Sequence, residues 1–420
     1  MKVFVPPQKK FSRNLAAVPD KSITHRAILF GSIAKGRTRI TGALTGDDCM
    51  HSRLCVEALG ATVMRENGDI VVTGTDRFVS GALDAGNSGT TMRLLCGLLA
   101  GREGRFRLTG DASLSSRPMQ RVIDPIRLMG GEIEGVGGKA PLTVTGKRLH
   151  GISYTLPMAS AQVKSAILLA ALTAEGVTQV TEPQKSRDHT EIMLRAMGAS
   201  LSVQGNTITL PGKQTLTGIP VTVPGDISSA AYPLVCALVC GGTATVRGVG
   251  INPTRDGLLR VFDQIGVDYA LLNEHESGGE RCADICVRGL GKAKPFRIDA
   301  ALMPLLIDEV PVLAVLASYL SGTSVIADAA ELRKKESDRI AATVRLIRLF
   351  GGEAEEDETI RGFTVTGKPL IGGCVFSAEG DHRMAMAGAC AAAASQKGAH
   401  IEDAECVGIS YPDFWSLFTL

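Results

Sequence analysis

Along the chain, Ala/Leu/Val-rich runs alternate with short Val/Ile/Thr stretches such as Ile70 to Thr73 and Leu142 to Thr145. Runs such as 165–172 and 384–394 are long enough for helices, and the second is apolar or small on nearly every side. A helix of that kind belongs under a sheet and not on a surface. The short stretches, bounded by glycine turns, read as strands. The alternation of the two patterns predicts an α/β protein with buried helices.

Six of the apolar runs open at a polar or glycine-bearing knot: Asp20-Lys21-Ser22, Gly86-Asn87-Ser88-Gly89, Ser160-Ala161-Gln162, Gly225-Asp226-Ile227-Ser228, Asp308-Glu309 and Gly380-Asp381-His382-Arg383. A knot followed by a helical run marks an N-capped helix. Such an end offers an anion free N–H groups and about half a positive charge. Six of them point to a site for a heavily anionic substrate. A second marker keeps the same beat, in apolar-Gly-small turns at Gly60, Gly130, Gly198, Gly266 and Gly351, spaced about 70 residues apart with a longer last interval. The chain therefore reads as six repeated α/β modules, the last split between the termini.

Two knots carry the same Val-Pro prefix, at Val18-Pro19 and Val223-Pro224. Proline restricts the chain and removes a donor, so domain crossings are expected there. One domain is 20–224, the other combines 1–19 with 225–420, and the double crossing is expected to form a hinge around a cleft. Composition narrows the function further. With 420 residues and 45% hydrophobic content the chain can fill two cores. A balance of 45 basic against 43 acidic residues and an aromatic content of 4% give no support to nucleic-acid binding. The N-terminal stretch is too polar and broken for a signal peptide, and no run reaches the ~18 apolar residues of a membrane span. A cytoplasmic protein is expected. Ten cysteines stand singly or as the pairs Cys236/Cys240 and Cys282/Cys286, without histidines at zinc spacing, so no metal is expected.

Taken one at a time, the charged stretches have ordinary alternatives. Lys21, Ser22 and Arg26 could be a helix start with a solvated arginine, and Gly86 to Arg93 a plain glycine turn that lacks the Lys-Ser/Thr of a nucleotide loop. Ser116-Arg117-Pro118 places an arginine in a loop after Gly110-Asp111, and Ser186-Arg187-Asp188 does the same ahead of a helix. Lys335, Glu336 and Arg339 fall at helical spacing, so one face would present two cations around a carboxylate. Asp308 is either a cap or a proton acceptor in a cationic cleft.

Side by side, these stretches resemble the 5-enolpyruvylshikimate-3-phosphate synthase family. Pro-Asp-Lys-Ser (19–22), Gly-Asn-Ser-Gly-Thr (86–90), Ser-Arg-Pro-Met (116–119), Ser-Ala-Gln (160–162), Ser-Arg-Asp-His-Thr (186–190), Lys-Glu-Ser-Asp-Arg (335–339) and Asp-His-Arg-Met-Ala (381–385) match it in order and spacing. The resemblance implies the enolpyruvyl transferase fold, two domains each of three βαβαββ units around buried parallel helices, with the active site in the cleft. It also implies transfer of the carboxyvinyl group of phosphoenolpyruvate to the 5-hydroxyl of shikimate 3-phosphate, by a monomer needing no metal or organic cofactor. By the same resemblance Lys21, Ser22, Arg26, Ser160, Ala161, Gln162, Ser186, Arg187, Asp308 and Lys335 hold shikimate 3-phosphate. Lys21, Asn87, Gly89, Arg117, Gln162, Arg339 and Arg383 hold phosphoenolpyruvate, and Asp308, Glu336 and Lys21 carry the catalysis.

The charges agree, since two phosphate monoesters and two carboxylates bring about −5 to −6 against seven cations. One departure is the segment before Pro412-Asp413, where some members have a lysine and this chain has none. Two rivals share parts of the pattern. The sister transferase acting on UDP-N-acetylglucosamine typically has a cysteine in the loop here occupied by residues 111–116, which are Asp-Ala-Ser-Leu-Ser-Ser. A non-catalytic anion binder would gain nothing from keeping both Asp308 and Glu336 among its cations.

Overall fold

The computed structural model describes residues 1–291 and 293–418. The chain divides into two compact units, one of Pro19–Val223 with Ser277–Glu280, the other of Met1–Val18, Pro224–Glu276 and Arg281–Leu420. Relative to the bounds expected from the sequence, this differs by a residue at each crossing and in Ser277–Glu280, the turn between two strands of the second unit.

Each unit is built from one repeated sheet. In the Pro19–Val223 unit the second sheet shows the pattern plainly: Gly81–Asp84 lies parallel to Arg105–Thr109, then Lys139–Thr145 and Glu132–Val136 add antiparallel, with helices Gly89–Ala100 and Gln120–Leu128 in the connections. The third sheet repeats it with Ser153–Thr155, Val177–Thr181, Thr207–Pro211 and Ser202–Gln204, and with helices Ala161–Ala171 and His189–Ala196. Parallel neighbours need a crossover, which the buried helix supplies, whereas the antiparallel pair needs only a tight turn. The first sheet obeys the same order, but its opening strand, Pro220–Thr222, comes from the far end of the unit and pairs with Arg37–Thr41.

The other unit is similar. Arg13–Ala16, from before the crossing, lies parallel to Ala244–Gly250, and Glu280–Val287 and Tyr269–Ser277 follow. Arg297–Ile298, Thr323–Ile326, Gly362–Thr366 and Glu353–Asp357 form the next sheet. The last has three strands, Val375–Ser377 and Ala399–Glu402 with the N-terminal Lys2–Val5, so the sixth module does close across the termini.

The apolar helices form the interior of both units. In the first, Lys21–Gly31, Gly89–Ala100 and Ala161–Ala171 pack on one another. A Cβ on Gly97 would come within 1.9 Å of the Ala166 carbonyl oxygen, so those helices meet at a distance only glycine permits. In the second, Ile227–Val239, Val310–Ala317 and His382–Ala394 do the same. The glycine beat falls just past the outer helix of five modules; Gly266, for example, ends Gly257–Ile265 in the left-handed region at φ 77. Among the described residues no helix is long and apolar enough to cross a membrane.

Candidate active site

All six knots lie at the N-termini of the six buried helices. Five have a side-chain cap: Asp20 accepts from Ile23 N (2.8 Å), Ser88 from Thr91 N (3.1 Å), Ser160 from Val163 N (3.5 Å), Asp226 from Ser228 N (2.9 Å) and Asp381 from Arg383 N (2.9 Å). The exception is Val310–Ala317. Asp308 does not cap it; the N-cap position belongs to Glu309, which makes no capping bond. The Asp308 carboxylate is instead bonded to cations.

In the Pro19–Val223 unit, Lys21 Nζ lies 3.0 Å from Asp48 Oδ2. Arg26 is buried and binds three neighbours, Ser22 O (2.9 Å), Thr190 Oγ1 (2.7 Å) and Ser165 Oγ (3.0 Å); burial lowers its guanidinium to about 10 against nearby carboxylates. It ties the first and third helix ends together. Arg117, expected in a loop, follows the short helix Ala112–Ser116, which Asp111 caps. Its Nη2 donates to Asn87 Oδ1 (2.7 Å), and Asn87 Nδ2 donates to Asp111 Oδ2 (2.7 Å). Gly89 opens its helix where a Cβ would sit 2.7 Å from Arg93 Nη1 and 3.5 Å from Arg117 Nη1. Gln162 is held from both ends, its Oε1 by Arg93 Nη1 (2.5 Å) and its Nε2 by Thr90 Oγ1 (3.0 Å). Arg93 was missed by the sequence reading because it lies inside an apolar run. Ser186 and Arg187 precede the His189–Ala196 helix; Ser186 is buried with its hydroxyl donated to Glu182, and Arg187 is half-buried.

The other unit has Arg339 as its hub. Its Nε reaches Asp381 Oδ2 (2.8 Å), its Nη1 Asp308 Oδ1 (3.1 Å), and its Nη2 Glu336 Oε2 (2.6 Å), at 1% side-chain exposure. Burial works against its charge, but Asp381, Glu336 and Asp308 outweigh that and hold the guanidinium well above its ordinary value. Lys335 Nζ adds a bond to Asp308 Oδ1 (3.3 Å), and Ser337 Oγ one to Asp381 Oδ2 (3.0 Å). The helical face expected from Lys335 to Arg339 does not form. Asp338 caps the helix from Arg339 onward, so Lys335 and Glu336 lie ahead of it and reach Arg339 and Asp308 from non-helical backbone. Arg383 is 3% exposed, and its Nη1 has no hydrogen-bond partner among the described residues. An unmatched buried donor is costly, and an anionic ligand is a natural acceptor for it. Beneath, a network the sequence did not reveal joins two helix ends: Arg255 Nη2 donates to Asp226 Oδ1 (3.1 Å) and Ser228 Oγ (2.6 Å), while Ser228 Oγ donates to Glu309.

Each unit thus carries buried cations near its helix ends, and in the second three carboxylates share the Arg339 guanidinium; groups of this kind belong to proteins that bind acidic small molecules and exchange protons with them. The family model of EPSP synthase (3-phosphoshikimate 1-carboxyvinyltransferase) matches residues 5–418. A relative named 3-phosphoshikimate 1-carboxyvinyltransferase from Desulforamulus reducens is 43% identical, over 99% of this chain and 98% of its own. Another of that name, from a Synechococcus strain, is 49% identical over 94% and 93%. The solved structure of EPSP synthase from Acinetobacter baumannii superposes with a TM-score of 0.87 at 41% identity, over 99% of this chain and 97% of that one. The chain belongs to the EPSP synthase family.

Proposed function

We propose that the protein transfers the carboxyvinyl group of phosphoenolpyruvate to the 5-hydroxyl of shikimate 3-phosphate and releases phosphate. The observation that carries this reading is the Arg339 hub, which holds the Asp308 and Glu336 carboxylates on one guanidinium, at 3.1 and 2.6 Å. Addition across the enol double bond requires a proton to leave the attacking hydroxyl while another reaches the methylene carbon. Elimination then removes a proton from that carbon as phosphate departs. Two carboxyl groups at fixed separation can serve these two sites, and in this reading Asp308 accepts from the hydroxyl and Glu336 serves the methylene.

Lys21, Ser22, Arg26, Ser160, Ala161, Gln162, Arg187 and Lys335 would hold the acceptor. Ser186 enters as support, because its hydroxyl is already given to Glu182. Lys21, Asn87, Gly89, Arg117, Gln162 and Arg383 would hold phosphoenolpyruvate, with the unmatched Arg383 Nη1 offering a bond to its phosphate or carboxylate. Arg339 could join them only by sharing its guanidinium with Asp308 and Glu336. The reading makes the enzyme a cytoplasmic monomer without metal or organic cofactor.

Inorganic phosphate measured from the two substrates together tests it. Release is expected with shikimate 3-phosphate as acceptor. Release only with UDP-N-acetylglucosamine would move the chain to the sister chemistry, and tight acceptor binding without any release would make it an anion binder.

A further inference from the structure

Outside the residues assigned above, one group of ionisable side chains is enclosed in the Pro19–Val223 unit. Lys164, in the first turns of Ala161–Ala171, is 1% exposed. Its Nζ lies 2.8 Å from Glu182 Oε2 and 2.7 Å from Glu191 Oε1, and it donates to the Ser186 carbonyl at 3.3 Å. Glu182 closes the ring, accepting from the Ser186 N–H at 3.3 Å and from the Ser186 hydroxyl. Burial pushes the Glu191 carboxyl above its ordinary value, with Lys164 opposing the shift.

Buried charges of this kind are a poor source of stability, since apolar side chains of the same volume usually do as well. Their geometry has a clearer consequence. The N–H, O–H and C=O of Ser186 are all engaged by Lys164 and Glu182, so the backbone immediately before Arg187 is fixed on three sides. The next residue along from Lys164, Ser165, bonds both Thr190 Oγ1 (2.6 Å) and Arg26 Nη2 (3.0 Å). One helical turn thus holds the backbone that presents Arg187 and the guanidinium of Arg26.

We infer that Lys164, Glu182 and Glu191 are positioning residues that clamp Ser186 and thereby aim Arg187 at the anionic acceptor. The inference rests on the acceptor-binding role proposed above for Arg187. Loss of the clamp leaves the chemistry intact and releases the arginine, so its effect falls on acceptor affinity.

The test is steady-state kinetics on the full chain with both substrates varied, for Lys164→Met, Glu182→Gln, Arg187→Ala and each clamp variant combined with Arg187→Ala. A charged hydrogen bond's worth of positioning corresponds to about a tenfold rise in acceptor KM, with the phosphoenolpyruvate KM within about twofold of wild type. On the Arg187→Ala background neither clamp variant should raise the acceptor KM further. Should Lys164→Met fail to fold, Glu182→Gln, which removes the charge that pairs with Lys164 and strengthens the bonds from the Ser186 N–H and hydroxyl, decides alone. Equal rises in both KM values, a fall in kcat with both unchanged, or full additivity with Arg187→Ala would each overturn the inference. Arg187→Ala with an unchanged acceptor KM would instead remove the role of Arg187, and the clamp's with it. That result differs from silent clamp variants beside an active Arg187.

Discussion

At the residue scale, the two carboxylates and the glycine between two guanidiniums make the sharpest predictions. Asp308→Ala and Glu336→Ala each take one proton station from the Arg339 hub while leaving its other partners in place. General acid–base groups typically contribute about 10²–10⁴ in rate, so kcat should fall by that order with much smaller changes in KM. Rapid measurement of phosphate release gives kcat, and a value near wild type in either variant would remove that residue from the mechanism. Gly89→Ala acts differently. Its Cβ would meet Arg93 Nη1 at 2.7 Å, the far end of a flexible side chain, so Arg93 gives way and loosens its bond to Gln162 Oε1. We expect the phosphoenolpyruvate KM to rise about tenfold, as for one lost charged bond, with kcat reduced less; a variant with unchanged KM would show that Gln162 needs no such hold. Gly89 was legible in the sequence because cap positions are written locally, a polar knot just before an apolar run, whereas the roles of Asp308 and Glu336 came from the family resemblance, since neither caps a helix. Arg93, Arg255 and Lys164 were not legible: Arg93 and Lys164 sit inside apolar runs, Arg255 sits in a polar turn beside Asp256 that reads as a solvated loop, and the partners of all three arrive from distant parts of the chain.

At the scale of elements, the six buried helices succeed or fail as packed groups. Five knots announce their helices by a cap that costs about 1 kcal/mol to remove, which is why the helix starts could be read to within a residue or so. The Lys335 to Arg339 face could not, because Asp338 bonds Ile340 N and Ala341 N and so delays the helix past the residues whose spacing had looked helical. Spacing along a sequence implies a face only where the backbone is helical. Contact between helices is likewise invisible in sequence but checkable in the protein. Gly97→Ala would drive a methyl group against the Ala166 carbonyl at 1.9 Å, a backbone atom that cannot swing away. The two helices must separate, at a cost of about 1–3 kcal/mol, and equilibrium urea unfolding should show the loss. Stability equal to wild type would mean that the helices slide past each other with little resistance.

At the scale of the molecule, the chain's path decides what each unit can do alone. The repeat length gave the number of modules, yet it could not show that the first sheet takes its opening strand from 220–222, or that the fourth takes Arg13–Ala16, since strand pairing is blind to distance along the chain. These loans leave Pro19–Val223 as one continuous stretch with its own apolar core and three complete sheets, whereas the other unit is assembled from separated pieces. The continuous stretch also contains most of the proposed acceptor groups, Lys21, Ser22, Arg26, Gln162 and Arg187, while Asp308 and Glu336 both lie in the other unit. Expressed by itself, residues 19–223 should therefore fold cooperatively. Its stability should be lowered somewhat, because His189 Nδ1 loses its 2.7 Å partner Glu280 from the missing turn. Calorimetry should find shikimate 3-phosphate bound more weakly than by the full chain, since Lys335 is absent, and no phosphate should be released with phosphoenolpyruvate present. Turnover by the fragment would take both carboxylates out of the mechanism. A folded fragment with no affinity for the acceptor would show instead that the cations of this unit do not bind it by themselves.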